Sequence, residues 1–421
     1  MSSSNSPTYS HQSNERGPTV SRRRVLAAAV TVLAIVFLGL TLRSPISSLA
    51  VVLPDVQHSL QMSQLLTSFL TTAPVLCFAL IGLWFGPRIF RLGLRRAAIL
   101  ILVVMSVGLA IRAASNGGLL FAAATLVILS AIAIGNVLIP AAVKACFTHH
   151  VSGVSAVCAA SIIGGATLGA VQAGWMQQIW GWRLALAGTT ILAVVAICLW
   201  LPIQSGSRVS STPPEPTIST RQLATLRPVW LLTGCFGLVT AQAYAQLGWY
   251  PAILIDTGLD NAAAAGHLAL LTGIGIPTMV LLPALTRLLG LRGVIVALAA
   301  ATALGWLGLL YAPLTMTWLW SALIGVGAGS FAWTLTMIGR HAESPEATAA
   351  LSGFVQGLGF VFAVVGPLGV GLLRDVTGSW TASLWLLVVV GLGIGAAGVF
   401  IAHRWSVEDL LGASSPRRST G

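Results

Sequence analysis

Arg43 is the residue whose chemistry most needs an explanation in this chain. It stands in Gly39-Leu-Thr-Leu-Arg43-Ser-Pro45-Ile-Ser-Ser48, inside the first long apolar run. Counted as a helix from Val25 at roughly 1.5 Å per residue, the run carries the guanidinium past the middle of a bilayer. A charge there costs several kcal/mol unless it faces protein or water. Thr41, Ser44, Ser47, Ser48 and the helix-disturbing Pro45 are fitting company for a buried polar site, while the plainer reading is an arginine that snorkels to anchor the helix end. Asn136 carries an amide that can hold a solute or, equally, a neighbouring helix. Gln242, Gln246 and Trp249 fall at i, i+4 and i+7, one helical face of amides and an indole that suits a small planar polar solute. Ser330, Trp333, Thr334 and Met337 also share a face, and Trp333 is far from both ends of its run. Against cavity lining stand interhelical bonds for the glutamines and an interfacial aromatic belt for Trp249 and Tyr250; the belt suits Tyr250 and the cavity suits Gln242. Lys144 and Arg112, close to the ends of their runs, read as interfacial anchors.

Other chemistry is missing. No aspartate or glutamate falls inside an apolar run, and the histidines stand near one face or the other. A carboxylate proton relay and a catalytic pair at one depth therefore lack their residues. Cys77, Cys146, Cys158, Cys198 and Cys235 have no metal-ligand spacing and read as small core residues, so neither metal nor disulfide is expected. The glycine pairs Gly165/Gly169, Gly325/Gly329 and Gly353/Gly357 have small-xxx-small spacing, which lets helices approach. No lysine-serine pattern follows a glycine loop, so a nucleotide-driven pump is disfavoured and no cofactor is expected.

The elements that must position these residues are membrane spans. Of 421 residues 56% are apolar and 8% charged, and the mean hydropathy is +0.90, far from a soluble globular protein. Twelve apolar runs are long enough to span, beginning near Val25, Leu65, Ala97, Leu119, Val154, Leu184, Val229, Ala262, Val294, Trp318, Ala347 and Thr381. An even number puts both termini on one side. Eighteen of the 22 basic residues fall in segments on that side, against Arg43, Arg112, Arg183 and Arg374. The positive-inside rule makes it the cytoplasm, and the net charge of +12 then needs no nucleic acid. Residues 1–24 and the long central loop are polar, so we expect a disordered N-terminus at 1–24, bundles at 25–202 and 228–403, a linker at 203–227 and a cytoplasmic tail at 404–421.

The halves echo one another. Pro87-Arg-Ile-Phe-Arg91-Leu-Gly-Leu-Arg95 follows the second span, and Pro283-Ala-Leu-Thr-Arg287-Leu-Leu-Gly-Leu-Arg292 follows the eighth. Gly174-Trp-Met-Gln-Gln-Ile-Trp-Gly181 is matched in place by Gly371-Leu-Leu-Arg-Asp-Val-Thr-Gly378. Parallel repeats of six spans describe a class of secondary transporters. On the basic loop Gly86-Pro-Arg-Ile-Phe-Arg-Leu-Gly-Leu-Arg-Arg96 the chain resembles the major facilitator superfamily, although that loop lacks the family's acidic residue. More narrowly it resembles the cyanate porter and nitroimidazole transporter branch. The matching segments are Leu42-Arg43-Ser-Pro45, Leu70-Thr-Thr-Ala-Pro74, Gly135-Asn136 through Pro140 with Lys144, Trp249-Tyr-Pro251, Leu351-Ser-Gly353 through Gln356, Gly366-Pro367 and Asp375-Val-Thr-Gly378. It departs from the branch at Ser44 and Phe360.

The resemblance implies an all-α polytopic fold of twelve transmembrane helices, with a cavity lined by spans one, four, seven and ten. On those spans Arg43, Asn136, Gln242, Gln246, Trp333 and Thr334 are the residues we expect to bind the substrate. Composition and spacing imply a small polar or anionic solute moved by alternating access across the inner membrane, by a monomer that is not an enzyme; the resemblance narrows the solute to a cyanate-like anion or nitro-heterocycle. A multidrug exporter, with Trp249 and Trp333 stacking an aromatic ligand, is the rival; a polytopic membrane enzyme is a distant one.

Overall fold

A chain this apolar must satisfy its backbone within each segment that crosses lipid, and helices do so. The computed structural model describes residues 22–89, 92–147, 151–203 and 218–414, and they form helices throughout: α1 (Arg22–Ser59), α2 (Gln64–Ile89), α3 (Leu94–Ala114), α4 (Gly118–Cys146), α5 (Val151–Trp200), α6 (Thr220–Leu223), α7 (Arg227–Asp256), α8 (Asn261–Tyr311), α9 (Thr317–Gly327), α10 (Gly329–Arg340), α11 (Pro345–Ala363), α12 (Val365–Thr377), α13 (Thr381–Ile401) and α14 (Val407–Ser414). Two of these turn back on themselves, α5 at Gly181 and α8 at Gly290, both at positive φ. The pairs α9/α10 and α11/α12 each continue one leg across a break, the second just before Gly366-Pro367, where proline supplies no N–H. Among the described residues this makes twelve helical legs, consistent with the twelve apolar runs, and eight helices, some of them holding two legs, are long and apolar enough to cross a membrane. Leucines and valines such as Leu100, Val107, Leu168, Val280 and Val389 coat the outside, where lipid tails would lie.

The repeat is written in the backbone. Among the described residues the positive-φ positions are Gln61, Gly93, Gly181, Gly258, Gly290 and Gly378. They form three pairs, Gln61 with Gly258, Gly93 with Gly290 and Gly181 with Gly378, each separated by the same length of chain. Close approaches follow the same interval. Gly169 lies against the Ser44 carbonyl as Gly366 lies against that of Ala241, and Gly174 abuts Ala265 as Gly371 abuts Ser68. The second set joins the halves. Gly165 and Gly325 also meet neighbouring backbone as their spacing implies, whereas Gly353 faces open space and packs nothing closely.

We call the side where α1 begins the near side and its opposite the far side. The halves meet toward the far side, at the two glycine contacts, at a bond between Thr167 and Thr272 (2.9 Å), and at Asp55. Asp55 accepts from Gln177 on α5 and, at 3.1 Å, from Asn261 on α8. These contacts tie the halves together toward the far side.

Parts of the expected loops and tails lie outside the described residues: most of the N-terminus at 1–24, residues 90 and 91 of the basic loop, 204–217 of the linker and 415–421 of the tail. Two described stretches carry more structure than their polar sequences led us to expect. Ser219 caps α6 at the end of the linker with a capping box, and Leu223 is buried there. In the tail, α14 docks on the loop between α10 and α11: Val407 donates to the His341 carbonyl (2.9 Å), and a Glu408 oxygen accepts from the Glu343 and Ser344 amides at 3.0 and 2.9 Å. Cys77, Cys158 and Cys235 are buried as expected, but Cys198 is exposed.

Candidate functional site

Arg43 stands about 31 Å along α1 from Arg22 and about 24 Å from Ser59, near the middle of the bundle. Half-buried, it places its guanidinium carbon 4.9 Å from the ring centroid of Tyr244, on α7 of the other half. A cation over an aromatic face is attracted by the ring's quadrupole, more strongly as water is excluded. Tyr244 is 2% exposed, and its hydroxyl, beside the Arg43 side chain, meets no acceptor. Its ring meets Phe78 edge-on at 5.6 Å, Phe78 meets Phe360 at 5.7 Å, and Phe360 meets Phe236 at 5.5 Å. This aromatic file crosses from α7 to α2 and on to α11, so Arg43 is held where both halves touch.

Arg112 corrects the sequence reading. Expected to snorkel from the end of α3, it is 1% exposed and turns into the bundle, where Nη1 donates to the Pro45 carbonyl at 3.4 Å. Its Nε and Nη2 have no partner. Arg112 and Tyr244 both line a small cavity of about 20 Å³ whose remaining wall includes Pro45, Leu49, Leu70, Pro74 and Ile128, with Thr71 and Thr125 beside them. Among the described residues one ion pair is formed, Arg374 with Asp256 at 2.9 Å on the far side, away from either arginine.

The other expected site residues do not gather around Arg43 in this state. Asn136 donates to Ile132 of its own helix (3.1 Å). Gln242 is buried inside the second half, where its amide, oriented to satisfy both ends, donates to the Leu387 carbonyl (3.3 Å) and accepts from the Trp306 indole. Trp333 gives its indole N–H to the Leu291 carbonyl at 3.0 Å, and Thr334 gives its hydroxyl to Ser330 at 2.7 Å. Gln246 is 5% exposed and, like the other four, stands outside the wall of the cavity at Arg112. The side chain of Lys144 lies outside the described residues.

The aromatic belt needs correction too. Trp249 is 2% exposed and donates to the Pro367 carbonyl (2.8 Å), and Tyr250 is fully buried with its hydroxyl 2.7 Å from Ser321. Tyr244, Thr71 and Thr125 have no role in the sequence analysis. The signal for Tyr244 was available: it lies two residues from Gln242 on a helix whose partner half carries the mid-span cation.

The Major Facilitator Superfamily model matches residues 31–367. Over 86% of this chain, an uncharacterized transporter of Bacillus subtilis is 32% identical (91% of its own length), the 2-nitroimidazole transporter of Escherichia coli 30% (93%) and the cyanate transport protein of Escherichia coli 28% (95%). The crystal structure of a variant nucleoside transporter superposes with a TM-score of 0.69 at 13% identity, covering 88% of this chain and 99% of that one, a likeness of fold. With its helical legs, paired six-helix repeats and a model match over most of its length, the chain belongs to the Major Facilitator Superfamily and is a multi-pass membrane transporter, not an enzyme.

Proposed function

We propose that the chain carries a small polar or anionic solute, a cyanate-like anion or a nitro-heterocycle, by secondary active transport through alternating access. The observation that carries this reading is Arg43: a cation at mid-depth, pressed on Tyr244 of the opposite half, with no carboxylate beside it among the described residues. A buried cation without a counter-ion is costly, and an anion that binds there offsets the cost. Binding then favours the closed arrangement over an empty one, which is how a ligand biases a two-state protein. The names of the 2-nitroimidazole and cyanate relatives agree with a small polar or anionic solute.

In this reading bundles 25–202 and 228–403 rock about Arg43 and Tyr244, with 203–227 as their linker. The near side, which carries most of the basic loops, is the cytoplasm, and both termini lie there. Gln242, Trp333 and Thr334 hold helices of the second bundle in place, and Asn136 and Gln246 reach the solute as the bundles move.

The test is uptake of labelled cyanate and 2-nitroimidazole into proteoliposomes, with and without a proton gradient. At least one solute should enter, and Arg43→Gln should slow it by roughly tenfold or more, the loss of one charge-assisted contact. Full rate and unchanged affinity in Arg43→Gln would remove Arg43 from the mechanism.

A further inference from the structure

We propose that the near-side turn of α8 is a docking site for an anionic phospholipid of the surrounding bilayer. Leu288 and Leu289 enter the leaflet, while Arg287 and Arg292 hold the phosphate of one headgroup. The site lies apart from Arg43 and holds whichever solute the transporter carries.

The shape of the turn comes first. α8 reverses at Gly290 (φ 70°), and the reversal leaves two leucines at the tip, Leu288 80% and Leu289 53% exposed. Leu281, also exposed, stands seven residues before Leu288 and so on the same helical face, which carries the lipid-facing stripe of this leg on to the tip. Leucines in that position are a cost in water and a gain among acyl chains. The turn is also held from within. The buried indole of Trp333 donates to the Leu291 carbonyl (3.0 Å), and Gly398 of α13 lies against Ile295 just beyond.

Charge supplies the second half of the argument. Arg287 and Arg292 flank the tip, and both are exposed. The end of α13 brings more basic surface to the same place: Nη2 of Arg292 lies 2.7 Å from Nε2 of His403, and the exposed Arg404 follows. Among the described residues the one ion pair is Arg374 with Asp256 on the far side, so no carboxylate neutralises these arginines. Phe400, just before His403, is exposed and widens the apolar edge. A phosphodiester carrying acyl chains meets both demands at once, since the planar forks of arginine suit phosphate oxygens and the chains cover the leucines. A soluble phosphate would leave Leu288 and Leu289 uncovered, which is why the occupant is a lipid.

The experiment uses the full chain in phosphatidylcholine nanodiscs with increasing phosphatidylglycerol, one acyl chain of which carries a photoreactive diazirine near its top. Labelling of 284–300, mapped by mass spectrometry, gives an apparent affinity, and phosphatidylcholine with the same chain is the comparison. Phosphatidylglycerol should bind more tightly by roughly fivefold or more, and Arg287→Gln and Arg292→Gln should each remove roughly fivefold. Leu288→Ser should weaken both lipids severalfold. Arg96→Gln takes the same charge from the other half and should leave labelling of this turn unchanged. Melting temperatures report folding, and if Arg292→Gln melts early, Arg287→Gln and the headgroup comparison decide. Equal affinity for the two headgroups, unchanged affinity in both Arg287→Gln and Arg292→Gln, or an equal loss in Arg96→Gln overturns the proposal. Displacement of the lipid by equimolar glycerol phosphate would assign the turn to a soluble anion and overturn it as well.

Discussion

The two halves share a backbone and differ in chemistry. Applying the interval that pairs Gly93 with Gly290 and Gly181 with Gly378, Arg43 corresponds to Thr240, Pro45 to Gln242 and Arg112 to Leu309. In the first half the Pro45 carbonyl receives Arg112, and a cavity remains with donors unpaired. In the second half the corresponding place is filled: Gln242 spans from the Trp306 indole to the Leu387 carbonyl, and Trp306 is fully buried. At these matched places the second half pairs its Gln242 amide internally, while Arg112 in the first half keeps two nitrogens without a partner. A repeat conserves the places where the chain must turn or touch, and leaves the side chains between them free to specialise.

The hardest blow to this contrast is Leu309→Arg, which puts a guanidinium where the second half has a 2% exposed leucine. It should cost about 3 kcal/mol or more, seen as low accumulation in membranes and a lower melting temperature. A Leu309→Arg protein that accumulates and melts like the parent would mean that both halves tolerate the charge equally.

The paired glycine contacts give a smaller test. A side chain on Gly174 would meet only the other half, at Ala265, Ala262 and Asn261, whereas one on Gly371 would meet Ser68 across the interface and Trp249 in its own half. Overlap of this kind costs about 1–3 kcal/mol. Gly174→Leu should open the far side without loss of melting temperature. Gly371→Leu should open it and also melt earlier. The readout is labelling by a membrane-impermeant maleimide of a cysteine placed at Thr71, with the native cysteines replaced, and the rate should rise roughly tenfold in each variant. Unchanged labelling in both would show that these contacts do not close the far side.

Much of this was legible from sequence: the apolar runs gave the spans, and the loop echoes at Gly93/Gly290 and Gly181/Gly378 marked the repeat because glycine is needed where φ is positive. Arg112 was not legible. It lies two residues from the end of α3, and depth alone does not say whether a long side chain turns outward to the interface or inward to a carbonyl 67 residues away in sequence. Trp249 and Tyr250 posed the same difficulty, since their partners Pro367 and Ser321 come from distant helices. Periodicity names a face; it does not name what that face meets.

The near ends of the halves supply the mildest contrast, because α14 docks on the second half at His341, Glu343 and Ser344. Burial works against ionising Glu408, but the amides of Ser344 and Glu343 and the Ser344 hydroxyl outweigh it and hold the carboxyl below its ordinary value of 4.5. With a depressed folded pKa, the unfolded chain binds more protons on acidification, so the stabilisation is complete above pH 4.5 and fades as the pH falls through and below it. His341, pressed on Trp405 with ring centroids 4.0 Å apart, has its pKa lowered by burial, so its charging below 6.5 loosens the clasp in the same direction. Glu408→Gln separates the two. Hydrogen exchange of 341–348 and 407–414, corrected for the intrinsic rate, should show protection lost in the parent between pH 7 and 4. In Glu408→Gln part of it should already be missing at pH 7, with the His341 contribution still falling away near 6.5. Full protection in Glu408→Gln at pH 7 would assign the clasp to His341 and Trp405 alone, and docking of the tail would then follow histidine charge with no contribution from the carboxylate.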